Sequence, residues 1–227
     1  MTVELLHIRD AMFGIRPGNR HDRLNKITKL CKELYGDEDG SAILNSYLHD
    51  LNEWIRESSS KVLYHDLNHI FAMTLNADRI AIHYKCSKQE RRNLFLACMF
   101  HDVLHSFGVL PDSLNVARAT AFFGKSIIKQ HFCTKQDVTT ICDIIFCTVF
   151  PFRVTVNNVL EKIARISDLT MCFESDVENF AQGLEVEFKH QGKHINVTKE
   201  DMISFSMSSE YSDELKKLLE EKVIGDH

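Results

Sequence analysis

The sequence has few of the residues that interrupt regular structure, with only 9 glycines and 3 prolines among 227 residues. We therefore predict a compact globular chain with few turns. Hydrophobic residues make up 44% of the sequence, which is enough to bury a sizeable core within one domain.

Long apolar runs are also missing from the sequence. The two strongest runs, residues 94–100 and 144–152, are far shorter than the roughly 20 apolar residues that cross a bilayer. Residues 1–14 mix three charged side chains into their apolar positions, unlike the apolar core of a signal peptide. We therefore expect a soluble cytoplasmic protein without a membrane partner.

Neither the charge nor the cysteine pattern points to a common binding module. Lys and Arg number 27 against 32 Asp and Glu, for a net charge of -5, so we expect no nucleic-acid scaffold as a partner. The 7 cysteines form no Cys-x-x-Cys pair, which disfavours a disulfide framework and a zinc ribbon. Most of them lie in apolar contexts, so we predict reduced core thiols rather than nucleophiles.

Apolar residues recur at helical spacing along most of the chain, and sustained strand-like alternation is missing from the sequence. We predict a single all-α domain over residues 1–227. It would have N-terminal helices within 22–57, a core over about 60–190 and a C-terminal helix at about 212–224. We further predict a loop over 36–40, with Ser41 capping the second helix. Capping-box patterns predict helices after Ser87 and Ser175.

Histidines and aspartates concentrate in residues 64–108, which contain YHDLNHI and then HDVLHSFG. His65 and His69 are four residues apart, so on one helix they would share a face. His101 and His105 would form a second such row on a helix that reaches about Phe107. Charges and imidazoles at the end of an apolar helix are costly unless they are paired or bind a metal. This stretch therefore indicates a functional site.

The residue types in this stretch suit a divalent cation, which accepts imidazole and carboxylate ligands. The adjacent pair His101 and Asp102, another histidine and a distant aspartate can supply four ligands and leave positions open for water, as catalytic metal sites do. Asp168 is the candidate for the distant carboxylate, because it lies among core-type neighbours in an amphipathic segment.

The motifs YHxxxH and HDxxH, followed by an aspartate in an I-x-D-L segment, resemble the HD-domain superfamily of metal-dependent phosphohydrolases. Within it, the chain is most similar to the catalytic domain of cyclic-nucleotide phosphodiesterases and their smaller bacterial relatives. The resemblance covers roughly residues 60–190 and implies an all-α, HD-domain helical bundle. It also implies one or two divalent ions (Zn, Mg, Mn, Fe, Co or Ni), with the first ligated by His69, His101, Asp102 and Asp168.

The same resemblance implies a role for each remaining polar residue of the motifs. Asp102 would also bridge to a second ion, and water activated by the metal would attack phosphorus. His65 would protonate the leaving oxygen, a role that suits a side chain with a pKa near 6.5. His105 would hold a water or a phosphate oxygen, and Asp66 would orient His65 or support a ligand.

Residues next to these motifs have two open interpretations each. Asn115 and Arg118, in the following predicted helix, would either bind the phosphate or form part of a solvated face. Tyr64 and Phe107 would either flank a substrate base or belong to the core.

Three functions are compatible with these motifs. The first is hydrolysis of a nucleotide-like phosphodiester, such as a 3',5'-cyclic nucleotide, and the second is a phosphatase acting on nucleoside monophosphates. The third is a regulatory module that binds metal or ligand without turnover. In every case the partner would be a small-molecule phosphoester. The diester is favoured because the motif has a histidine to protonate an alkoxide and few basic residues near its predicted metal row.

Overall fold

The computed structural model describes residues 20–57, 65–103, 105–106, 110–152 and 154–225. Within these ranges the chain forms eleven α-helices and one 3-10 helix, with no β-strand. The prediction of an all-α fold is confirmed. No helix in the described ranges combines the length and the apolar character needed to cross a bilayer.

The helices follow one another with mostly short connections. Their bounds are α1 Arg20–Tyr35, α2 Asp37–Glu57, α3 Leu67–His83, α4 Lys88–Phe100, α5 Asp112–Lys125, α6 Ile127–Phe132, α7 Lys135–Cys147, α8 Val159–Asp168, the 3-10 helix Leu169–Phe173, α9 Val177–His190, α10 Lys199–Met207 and α11 Ser212–Glu220.

Helix α3 is the centre of the bundle, because it packs against α1, α4, α8 and the 3-10 helix. Of its 17 residues, 12 are buried, so it is covered on nearly all sides. Most of these side chains are apolar, such as Phe71 and Met73, but His69, Asn68 and Asn76 are buried among them. The central helix therefore carries polar groups that its neighbours must satisfy.

The predicted loop over residues 36–40 is wrong, since α2 begins at Asp37. Three acidic residues occupy its first turn, where carboxylates are stabilised by the helix dipole. Gly40 allows α1 and α2 to pack closely, because a Cβ atom there would lie 2.8 Å from the carbonyl oxygen of Cys31. Ser41 is not a cap but bonds the carbonyl of Asp37 within the helix.

Neither histidine-bearing helix contains the pair of histidines predicted for it. Helix α3 begins at Leu67 with Asp66 as its cap, so His65 precedes the helix and does not share a helical face with His69. Helix α4 ends at Phe100 with His101 as its C-terminal cap, so the predicted row through His105 is interrupted by a turn. His69 and His101 therefore lie in a helix or directly at its end, whereas His65 and His105 lie in connecting segments.

One of the two predicted capping boxes is confirmed. The Ser87 and Glu90 box at the start of α4 is present. The predicted box at Ser175 is absent, because α9 starts at Val177 without a side-chain cap. The carboxylate of Asp176 instead pairs with Arg23 of α1.

Candidate metal centre

Four predicted ligands converge from three parts of the bundle. His69 lies in the first turns of α3, His101 and Asp102 follow the last residue of α4, and Asp168 ends α8. Packing of α3 on both α4 and α8 brings these positions together. His69 and His101 are buried, while the Asp168 carboxylate keeps 25% of its side-chain surface exposed. The site is therefore enclosed, with an opening on the Asp168 side.

Most of the separations between ligand atoms match those around a single ion. His69 Nε2 lies 3.3 Å from His101 Nε2, 3.3 Å from Asp102 Oδ2 and 3.2 Å from Asp168 Oδ1. His101 Nε2 lies 3.0 Å from Asp102 Oδ2 and 4.0 Å from Asp168 Oδ1. Two atoms each about 2.1 Å from an ion are about 3.0 Å apart at a right angle and about 3.4 Å apart at the tetrahedral angle.

The tautomer of His101 is set by the backbone. Its Nδ1 lies 2.7 Å from the carbonyl oxygen of Cys98, and a carbonyl oxygen only accepts hydrogen bonds. Nδ1 therefore carries a proton, and in the neutral ring the lone pair of Nε2 faces the other three ligands. Such outer contacts orient metal-binding histidines in general.

The electrostatics of these four residues favour a cation at their centre. Burial lowers the pKa of His69, but hydrogen bonds and charge from Asp102 and Asp168 outweigh it and raise that pKa to about 10. Burial raises the pKa of Asp102, but the charges of His101 and His65 hold it well below its usual value. In the described part of the chain neither aspartate pairs with Lys or Arg. A divalent ion would supply the missing positive charge.

A second cluster, formed by His65, His105 and Glu187, lies beside the first. His65 Nδ1 is 2.8 Å from Glu187 Oε2, and the backbone N–H of His65 donates to Glu187 Oε1 at 3.1 Å. The rings of His65 and His105 stack with 3.6 Å between their centroids and 25° between their planes. Burial lowers the pKa of His65, but the charges of Glu187 and Asp102 outweigh it and raise that pKa above its ordinary value.

Two sets of three residues have ligand atoms close enough together to hold a metal ion: His69, His101 and Asp168 in the first cluster, and His65, His105 and Glu187 in the second. Their geometry differs in one respect. A histidine directs its lone pair within the ring plane, so two histidines that share an ion have planes that meet at it. The rings of His65 and His105 are stacked with only 25° between their planes, so the two planes meet far from the rings, whereas the rings of His69 and His101 are tilted by 43° with their Nε2 atoms 3.3 Å apart.

The structure relates the remaining predicted residues to the site in different ways. Asn115 is buried, and its Oδ1 accepts the Ser106 N–H at 3.2 Å, which fixes the segment next to His105. Arg118 lies half-buried on α5, close to one turn after Asn115. The Asp66 carboxylate accepts the N–H groups of Asn68 and His69 and so caps α3. Tyr64 and Phe107 lie outside the described residues.

Sequence reasoning missed Glu187, although a signal was available. It follows Phe180 and Leu184 at helical spacing, on the apolar face of the segment that forms α9. An acidic side chain on such a face needs a partner, the same argument that identified Asp168. Asp112 was also missed as a neighbour of the site, and its Oδ1 lies 3.8 Å from His105 Nε2.

The cysteines do not contribute a nucleophile to either cluster. All seven are free thiols, and four of them are buried: Cys31, Cys98, Cys147 and Cys172. Burial raises the pKa of Cys147 to about 12 and that of Cys172 to about 11. Such thiols remain protonated and unreactive near neutral pH.

No protein-family model matches the chain, and no curated protein matches it.

Proposed function

We propose that this protein is a metal-dependent phosphohydrolase that cleaves a nucleotide-like phosphodiester, as the resemblance to the HD-domain superfamily implies. The observation that carries the proposal is the convergence of two imidazole nitrogens and two carboxylate oxygens from α3, α4 and α8. A histidine and glutamate pair adjoins this ligand set. Metal-dependent phosphoester hydrolysis uses a metal site and an acid–base group together.

His69, His101, Asp102 and Asp168 would hold the first ion. A divalent ion at this position supplies an activated water and a positive charge for the phosphoryl oxygens. These four residues would leave coordination positions open for water and substrate, and the Asp168 carboxylate is the most exposed of the four side chains. A second ion would share Asp102, as the resemblance implies.

His65 is the general acid in this proposal. Its Nδ1 is held by Glu187 at 2.8 Å, so Nε2 is the nitrogen that exchanges a proton with the leaving oxygen. The Glu187 carboxylate stabilises the protonated ring, which keeps an acid available near neutral pH. The stacked ring of His105 fixes the plane of His65, and its resemblance-based role is to hold a water or a phosphate oxygen.

The charge around the site favours a diester over a monoester. A monoester has close to two negative charges near neutral pH and a diester has one. The basic residue nearest to Asp168 in sequence, Arg165, bonds the carbonyl oxygens of Cys147 and Val154 and so supports the loop after α7. In the motif region, Arg91 pairs with Asp78 and Glu33, away from the four ligands.

The decisive experiment is turnover by purified protein loaded with Mn²⁺, Zn²⁺ or Mg²⁺. Substrates would be cyclic AMP, cyclic GMP, bis-p-nitrophenyl phosphate and nucleoside monophosphates. We expect cleavage of at least one diester that stops when a chelator removes the metal. Release of phosphate from monophosphates alone would support the phosphatase instead. No turnover of either class by metal-loaded protein would support the binding module.

A further inference from the structure

A buried network of polar side chains joins α1 to the two segments that carry the site. At its centre is Arg23 of α1, a residue with 4% of its side-chain surface exposed. Its guanidinium donates to Asn68 Oδ1 at 2.6 Å, to Glu174 Oε2 at 2.6 Å and to both oxygens of Asp176 at 2.7 Å. It also lies over the ring of Phe180.

The partners of Arg23 adjoin the site in the sequence. Asn68 is the residue immediately before the ligand His69. Glu174 and Asp176 lie in the connection between the 3-10 helix that follows Asp168 and the start of α9. One guanidinium therefore fixes the segment after one ligand, Asp168, to the turn that contains another, His69.

Two asparagines of α3 extend the same network. Asn68 Nδ2 donates to Asp176 Oδ2 at 3.3 Å. Asn76 Nδ2 donates to Thr170 Oγ1 at 2.9 Å and to Glu174 Oε1 at 2.8 Å. These two residues lie on either side of His69 along α3, so both ends of this helical segment are bonded to the chain that follows Asp168.

Helix α9 is consequently fixed to the start of α3 at two places. Asp176, at its N-terminal end, is bonded through Arg23 and Asn68. Glu187, eleven residues later and about 16 Å along the helix axis, is bonded to His65. A shift of the first attachment would rotate or translate α9 and change the separation between Glu187 and His65.

From these contacts we infer that Arg23 is a positioning residue for the site, one that sets the separation of His69 from Asp168 and of His65 from Glu187. The side chains of Glu174 and Asp176 are only 8% and 9% exposed, so without a cation between them they would repel each other. A planar, five-donor guanidinium satisfies both carboxylates and Asn68 together, whereas a lysine ammonium has three donors on a flexible stem. This inference rests on the proposed metal site but does not require turnover.

The test compares Arg23→Lys with Arg91→Lys. Arg91 joins the same helices, because it bonds Glu33 of α1 and Asp78 of α3. Asp78 lies nine residues after His69, about 14 Å away along α3. Both substitutions keep the charge and remove a multidentate contact, so a loss of stability alone would affect both variants.

Three quantities would be measured for each variant: the thermal unfolding midpoint, the Zn²⁺ affinity by chelator competition and the visible absorption spectrum of the Co²⁺ form. We expect Arg23→Lys to weaken Zn²⁺ binding about tenfold, the lower end of the range for residues that orient ligands. We expect it also to change the Co²⁺ spectrum. Arg91→Lys should leave both properties unchanged. Equal metal affinities in Arg23→Lys and wild type, or equal losses in both variants, would overturn the inference.

A second variant and a metal-independent measurement keep the test decisive. Asp176→Asn retains the shape of the acceptor and removes one buried charge, and it would replace Arg23→Lys if that protein does not fold. Nitrogen-15 NMR of the histidine rings reports the Nδ1–H of His65 without any metal. We expect that signal to shift in the network variants alone, and an unshifted signal would contradict the inference. Wild-type protein that binds no metal would refute the proposed function, while the histidine spectra would still decide the role of Arg23.

Discussion

The two histidine clusters differ in what holds their side chains in place. In the first cluster His69 lies within a helix, and His101 is fixed at the end of another by the Cys98 carbonyl. In the second cluster His65 and His105 both lie outside helices, and Glu187 and ring stacking fix His65. Helix backbones and the Cys98 carbonyl therefore hold the two histidines of the first cluster directly, whereas side-chain contacts between distant segments hold His65 in the second.

The difference between the clusters has a chemical counterpart. Converging lone pairs and two aspartates without Lys or Arg partners in the described chain suit a divalent ion. Stacked rings with one carboxylate partner suit proton transfer. The following predictions test this division, in order of decreasing effect.

The largest effect is expected for Asp102→Ala, which removes a carboxylate of the first cluster. We expect it to abolish metal binding and activity together, because both ions would share this side chain. Elemental analysis after gel filtration would measure the metal content. Asp143→Ala, at an exposed position of α7, is the matched control. Full metal occupancy in Asp102→Ala would refute the ligand assignment.

Substitution of His65 by alanine should distinguish the roles of the two clusters. We expect the protein to keep its metal and to lose about 10²–10⁴-fold in turnover of diesters with poor leaving groups, the range for general acid catalysis. A p-nitrophenyl ester should lose much less, because its leaving group needs little protonation. The comparison of kcat for the two substrates is the measurement. Equal losses on both substrates would show that His65 is not the general acid.

A smaller effect is expected for Glu187→Gln, which keeps the shape of the side chain and removes its charge. Turnover of poor leaving groups should fall about tenfold to a hundredfold, as for other outer partners of site histidines, while metal content stays the same. Glu185→Gln, on the same helix and ion-paired with Lys189, should have wild-type activity. Loss of metal in Glu187→Gln would indicate that the second cluster also holds an ion.

The smallest effect is expected in thermal stability. A divalent metal at a hundredfold excess over its Kd should stabilise the folded state by about 2.7 kcal/mol, or about 5–10 °C for a chain of this size. The His65→Ala variant should keep this shift, and Asp102→Ala should lose it. Differential scanning fluorimetry with and without metal would measure both. A shift that persists in Asp102→Ala would place the stabilising ion elsewhere.

Local sequence patterns predicted the helices better than their ends. The Ser87 cap and the apolar stripes were sufficient for α4 and for the all-α fold. These patterns did not predict that α2 begins at Asp37, because the position at which α2 can begin depends on how closely α1 approaches it at Gly40. Nor did they show that Asp66 excludes His65 from α3, since four-residue spacing alone does not locate a cap.

By itself the sequence determined the helical class, because periodicity is a local property. Costly polar residues in apolar segments also indicated a functional site, and the resemblance of its motifs implied His69, His101, Asp102 and Asp168 as the candidate ligands. Only the tertiary structure decided which side chains meet. Glu187 lies 122 residues from His65, and Arg23 lies 153 residues from Asp176. Each is a charged residue on an otherwise apolar helix face, which signals that a partner is needed. The identity of that partner depends on how α1, α3 and α9 pack, and this packing results from the summed burial of the whole core.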